Sequence, residues 1–127
     1  LAPTVQWAVS WCAAKQVTTS FPSCYPAPGE PIIDKPGKGA FYETDLQLIL
    51  QNHTIKMLIV CGVTTEVCET TTVREANDRG FERIIPADCA GSYCPEFQKS
   101  ALEMIQAQGA IFGWVSDAAA IVDGLHG

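Results

Sequence analysis

From Lys56 onward the chain alternates between short apolar runs and longer stretches whose apolar residues recur at helical spacing. Met57-Leu58-Ile59-Val60-Cys61 is continuous and apolar, which predicts a strand covered on both faces. Glu66 to Arg79 predicts a helix, although Thr70, Thr71, Thr72 and Val73 are consecutive β-branched residues that favour strands by propensity. The ends decide in favour of helix. Thr65 can N-cap, Glu66 suits the first turn, Arg74 and Arg79 suit later turns, and Gly80 fits the position after the last one. Arg83-Ile84-Ile85, within Glu82 to Ala87, predicts a second strand closed by Pro86 and by the turn residues Asp88 and Gly91. Pro95 begins a helix whose apolar face is Phe97, Ala101, Leu102, Met104 and Ile105 and which runs to Gln108-Gly109. Ile111 to Val115 predicts a third strand, and Asp117 to Val122 a short closing helix. Strand, helix, strand, helix, strand implies a parallel sheet with right-handed crossovers.

Ahead of this block, Ile32-Ile33-Asp34 reads as a further short strand and Thr44 to Asn52 as a helix carrying Leu46, Leu48, Ile49 and Leu50. Residues 1 to 31 read differently. Five of the eight prolines fall between Phe21 and Pro36, which predicts an extended connector. Before it, Val5, Trp7, Val9 and Trp11 alternate with Gln6, Ala8, Ser10 and Cys12, a period of two that favours a strand in a segment short enough to be a helix.

The length of 127 residues allows one domain with a real core, yet is short for a doubly wound enzyme. Hydrophobic content of 47% with 17% charged residues describes a folded chain. A net charge of −6 argues against nucleic acid and anionic membrane as partners. No run approaches the length of a membrane span and no leader pattern opens the chain, so the expected location is cytoplasmic. Six cysteines form no CxxC pair, and the histidines, His53 and His126, stand alone, so neither a metal site nor a cofactor is expected. Cys61 and Cys89 sit at strand positions and read as core packing.

Cys68 stands apart. It follows the apolar run and the loop Gly62-Val63-Thr64-Thr65, in the opening turn of the predicted helix. Unpaired amides and the positive end of a helix dipole favour thiolate over thiol, and the same amides can hold an oxyanion after the sulfur attacks a carbonyl. The position points to acyl transfer, although many strand-loop-helix junctions hold an inert cysteine.

The stretch Gly62-Val63-Thr64-Thr65-Glu66-Val67-Cys68, followed by Thr71-Thr72-Val73-Arg74-Glu75-Ala76-Asn77-Asp78-Arg79-Gly80-Phe81, resembles the nucleophile signature of the isochorismatase-like cysteine hydrolases, the superfamily that includes nicotinamidases. A second block, Asp34-Lys35-Pro36-Gly37-Lys38-Gly39-Ala40-Phe41-Tyr42 with Thr44-Asp45-Leu46 behind it, is similar to the family's lysine segment, in the same order and at about the same separation. The wording is nearest to the ureide and biuret-type amidohydrolases. The resemblance implies a three-layer Rossmann-like α/β fold, a parallel sheet with helices on both faces, incomplete at the N-terminal side. It spans residues 30 to 122, so residues 30–127 are expected to form the C-terminal part of the family domain and residues 1–29 an unmatched segment and connector.

By the same resemblance, Cys68 is the nucleophile and Lys35 the catalytic lysine, with Lys38 the runner-up. The backbone N–H groups of Thr64 and Cys68 form the oxyanion hole, the Val63-Thr64 bond is cis, and Phe41, Tyr42 and Thr65 line the substrate pocket. Phe41 and Tyr42 fit core positions equally well. The implied function is hydrolysis of a small amide or ureide through a thioester, with no metal or other cofactor, in a homo-oligomer. A nucleophilic cysteine favours amide hydrolysis over isochorismate cleavage, which acts on a vinyl ether and does not need it.

Two departures oppose this reading. The residue after the cysteine is Glu69, where the family ordinarily has a small or apolar side chain, and a carboxylate there opposes thiolate formation. Adjacent residues of an α-helix point about 100° apart, so Glu69 is expected to face away from the sulfur. The family's acidic residue, in a pattern like D-x-Q-x-D-F, has no counterpart here. The alternative is therefore an inactive domain that serves as an oligomerisation or interaction module. A redox thiol protein ranks last, because no resolving cysteine stands at short spacing from Cys68.

Overall fold

The computed structural model describes residue 26 and residues 28–126. The alternating segment Val5 to Cys12 lies outside the described residues, as does the first part of the connector. Helix α1 (Leu46–Asn52) leads into strand β1 (Met57–Ile59), and β2 (Gly62–Val63) follows after a two-residue break. A π-type turn (Thr65–Glu69) runs into helix α2 (Thr70–Asp78), then strand β3 (Glu82–Pro86), a 3₁₀ turn (Ala87–Cys89) and strand β4 (Ala90–Gly91). Helix α3 (Pro95–Ala110), strand β5 (Trp114–Ser116) and helix α4 (Ala118–His126) complete the chain.

The main sheet has the order β1-β3-β5, parallel throughout, with Leu58 beside Arg83 and Ile84 beside Trp114. Strands β2 and β4 form a separate parallel pair, Gly62 beside Ala90 and Val63 beside Gly91. Parallel strands joined through helices are the α/β architecture that the alternating pattern predicts. One core joins the layers. Leu46 and Leu50 of α1, Val73 and Ala76 of α2, Ile105 of α3, Leu58 and Ile85 of the sheet, and Phe41 and Phe81 are all buried in a single cluster.

The run Met57 to Cys61 does not remain one strand covered on both faces. Leu58 is buried while Met57 is 47% exposed, the ladder ends at Ile59, and Gly62-Val63, expected as loop, re-enters a second pairing. Ile32-Ile33-Asp34 forms no ladder: Ile32 is 74% exposed and only Ile33 packs on the core. The third strand begins at Trp114 rather than Ile111, because Phe112 N–H donates to Ile105 C=O (3.1 Å) and Gly113 N–H to Ala110 C=O (3.1 Å). Those bonds tie the segment back to the end of α3, where Gln108 and Gly109 turn to positive φ and stop the helix. On α3 the buried face is Ala101 and Ile105, whereas Phe97 and Met104 are 59% and 50% exposed. Cys89, expected in the core, is exposed on the 3₁₀ turn after β3.

The β-branched start of α2 stays helical because its hydroxyls bond backward. Thr70 Oγ1 donates to Thr65 C=O (2.6 Å), Thr71 Oγ1 to Val67 C=O (2.6 Å) and Thr72 Oγ1 to Cys68 C=O (2.7 Å). At the other end Gly80 takes φ +82° and Phe81 N–H donates to Ala76 C=O (3.0 Å), the stop that the glycine predicts.

Thr72 also reaches sideways: its buried hydroxyl accepts Ala40 N–H at 3.1 Å. Thr72→Val is isosteric but strands a buried donor and a buried acceptor, so the expected loss is about 1–3 kcal/mol. The exposed Thr71→Val is expected to cost less than about 0.5 kcal/mol. Urea unfolding of the two variants side by side measures the difference.

Candidate active site

Three pieces of chain converge where the first strand ends. Beyond β1 the backbone passes through β2 and the cis Val63-Thr64 bond, the isomer that the resemblance implies. Thr64 C=O then accepts both Val67 N–H (3.1 Å) and Glu69 N–H (3.3 Å), the second a five-residue closure that widens the first turn. Cys68 lies on that widened turn, half-buried, with a free thiol. The loop before α1 brings Lys35 to the same place.

That loop is held by small contacts. Ala40 is fixed from both sides, by Thr72 Oγ1 on its N–H (3.1 Å) and by Thr44 Oγ1 donating to its C=O (2.5 Å). Gly39 passes so close to α2 that a Cβ there would meet Thr71 Cγ2 at 3.1 Å and Glu75 Oε2 at 3.2 Å. Lys35 Nζ donates to Lys38 C=O at 2.8 Å, which anchors the ammonium, and Lys38 itself is exposed. Since an ammonium has three donors, two remain for other partners.

Lys35, Cys61, Val63, Cys68, Glu69 and Thr72 line one cleft of about 290 Å³, open mouth included. The predicted pair Lys35 and Cys68 is thus brought together. Three predicted pocket residues are not. Phe41 is buried and stacks on Phe81 with ring centroids 5.8 Å apart, so it belongs to the core. Tyr42 is 56% exposed and lies over Gly37. Thr65 is fully buried, and its hydroxyl donates to Gln98 Oε1 (2.7 Å) while Gln98 Nε2 donates to Ala90 C=O (2.8 Å). Thr65 therefore ties the turn to α3 and β4 and supplies no N-cap bond. Thr64 takes the cap position instead, with extended backbone.

Two lining residues with reactive side chains were expected elsewhere. Cys61, expected in the core, is half-buried at the cleft. Glu69, expected to face away, lines the cleft beside Cys68 because the turn is wider than an α-turn and successive side chains diverge less. Glu69 is only 4% exposed, and neither carboxylate oxygen has a hydrogen-bond partner among the described residues. Burial pushes its carboxyl from 4.5 up to about 7; the nearby Thr65 hydroxyl pulls the other way, although its hydrogen bond here goes to Gln98. Among the described residues no group of three or more His, Cys, Asp or Glu could hold a metal ion, and no helix is long and apolar enough to cross a membrane.

A thiol and an ammonium sharing a cleft in a parallel α/β fold is the arrangement of a cysteine hydrolase class. Residues 4–120 match the isochorismatase domain family, and the chain belongs to that family, within the isochorismatase-like cysteine hydrolases. It is 38% identical over 98 residues to the ureidoacrylate amidohydrolase RutB of Methylorubrum extorquens, a match that covers 75% of this chain and 38% of the relative. Among solved structures it resembles an isochorismatase family protein from Burkholderia thailandensis, with a TM-score of 0.78 at 25% identity over 84% of this chain and 55% of that one. It also resembles the nicotinamidase PncA of Bacillus subtilis, with a TM-score of 0.69 at 25% identity over 82% and 56%. The chain thus spans 38% of the length of the curated relative and little more than half of these structures.

The raised carboxyl carries a stability signature. Because the folded chain holds the Glu69 proton more tightly than the unfolded chain, the contribution is complete below 4.5 and is lost as pH rises through about 7. The shift corresponds to a loss on the order of 3 kcal/mol between about pH 5 and about pH 8. Glu69→Gln is expected to remove this slope, which urea unfolding across that pH range reads as the difference between the two proteins.

Proposed function

We propose that the chain hydrolyses a small amide or ureide by covalent catalysis at Cys68. The observation that carries this reading is that Lys35 and Cys68, from separate parts of the sequence, line one small cleft. The names of its relatives, an amidohydrolase of a ureide and a nicotinamidase, supply the bond class: a carbonyl attached to nitrogen.

In this mechanism Cys68 Sγ attacks the carbonyl carbon, and the electron pair of the C=O bond moves to oxygen. The N–H groups of Thr64 and Cys68 receive that oxyanion, where fixed donors act without reorganising. The free donors of Lys35 orient the carbonyl group and stabilise the thiolate. Collapse of the intermediate expels the amine, or ammonia, with a proton, and leaves a thioester on Cys68. Water then attacks the thioester, which releases the acid and restores the thiol.

The test is ammonia release from a panel of small primary amides and ureides that includes ureidoacrylate and nicotinamide. Cys68→Ala is expected to lower kcat/KM at least about 10³-fold, and Lys35→Ala about 10²-fold. Mass spectrometry of the quenched wild-type reaction is expected to show an acyl group on Cys68. Hydrolysis that survives Cys68→Ala would overturn the mechanism, and a wild-type chain inert towards the whole panel would favour an interaction module instead.

A further inference from the structure

We propose that Glu69 is the acid–base group of this cleft, taking and returning the protons that acyl transfer at Cys68 requires. The inference rests on the reading of Cys68 as the acylated group. Glu69 lies directly after Cys68 in the chain, lines the same cleft, is 4% exposed, and leaves both carboxylate oxygens without a hydrogen-bond partner among the described residues. A buried polar group without a partner costs free energy that an apolar side chain of similar volume would not, so an unpartnered carboxyl in the wall of this cleft is the feature to explain. The Thr65 hydroxyl, on the same turn, donates to Gln98.

The chemistry needs such a group. Among the described residues, Lys35 and Cys61 are the other titratable side chains at the cleft besides Cys68, and Glu69 is the carboxyl among them. An ammonium has no lone pair with which to accept a proton, and Lys35 is anchored to Lys38 C=O. In acylation the Cys68 thiol proton passes across a water molecule to the Glu69 carboxylate, and the sulfur attacks the carbonyl. The resulting carboxylic acid protonates the departing nitrogen as the C–N bond breaks. In deacylation the carboxylate takes a proton from the attacking water. It returns that proton to the sulfur as the C–S bond breaks. Atoms and charge balance over the cycle, and the thiol and the carboxylate are both restored. A carboxyl whose burial brings it to about 7 exchanges protons in both directions near neutral pH.

A probe with a good leaving group isolates the second half. p-Nitrophenyl acetate transfers its acetyl group to a thiolate without an acid to help the phenolate depart. The wild-type chain is expected to turn it over continuously, at a rate that rises with pH through an inflection near 7. Glu69→Gln is expected to release about one p-nitrophenolate per chain, then slow about 100-fold, lose the inflection and accumulate one acetyl group on Cys68. Glu69→Asp is expected to recover at least about a tenth of wild-type turnover. Turnover by Glu69→Gln as fast as wild type or faster, a slow variant with no acetyl group on Cys68 that Asp does not recover, or a wild-type chain that acetylates once and stops would each overturn the role of Glu69 alone. Turnover that survives Cys68→Ala, or a wild-type chain that neither turns over nor acetylates, would overturn the Cys68 reading and this inference with it.

Discussion

One buried hydroxyl connects the two halves of the site. Thr72 Oγ1 accepts Ala40 N–H, from the loop that carries Lys35, and donates to the carbonyl of Cys68. Beside it, Gly39 packs against Thr71 and Glu75 of α2, so the bond and this close approach together set the loop against the helix. A threonine in the first turns of a helix is ordinarily a mild liability. Here its hydroxyl satisfies two backbone groups at once, and both belong to segments with no sheet ladder to rely on.

The shape of the turn follows from similar economies. Three successive threonines at the start of α2 return their hydroxyls to carbonyls four or five residues back, which meets the acceptor demand of a turn too wide for a regular α ladder. That width brings Glu69 round to the cleft wall occupied by Cys68. Thr65 anchors the far side of the turn to α3 and β4 through Gln98, so the turn is held against the core and not left to solvent. Local hydroxyl chemistry thus decides where a carboxyl group two methylenes from the backbone ends up.

Much of this was legible before any coordinates. The strand-turn-helix setting of Cys68, the lysine block ahead of it, the parallel sheet and the glycine stop at Gly80 all follow from short-range pattern, and the structure contains each of them. What was not legible depends on contacts between distant residues. Phe41 fits pocket and core equally well in the sequence, and the stacking on Phe81 decides for the core. Ile111 and Phe112 look like strand until the amides after α3 are seen turning back to Ile105 and Ala110. Glu69 departs from its expected direction for another reason: the α-helical angle does not hold in a turn that is not α-helical, and nothing in the run Thr65 to Thr70 announces a closure of five residues. Its one visible trace is the succession of threonines, which supplies the backward bonds such a turn uses.

The departure that argued most strongly against activity looks different once its surroundings are known. A carboxylate beside a nucleophilic sulfur opposes thiolate formation if it is ionised, solvent-exposed or not. Burial changes the premise, because a carboxyl at about 7 is protonated for part of its time at neutral pH and then adds no negative charge to the cleft. The ammonium group of Lys35 and the buried carboxyl of Glu69 therefore need not cancel, because a protonated carboxyl carries no charge to oppose it. In the proposed mechanism, that pairing sets a cation and a proton store beside one thiol for both carbonyl substitutions.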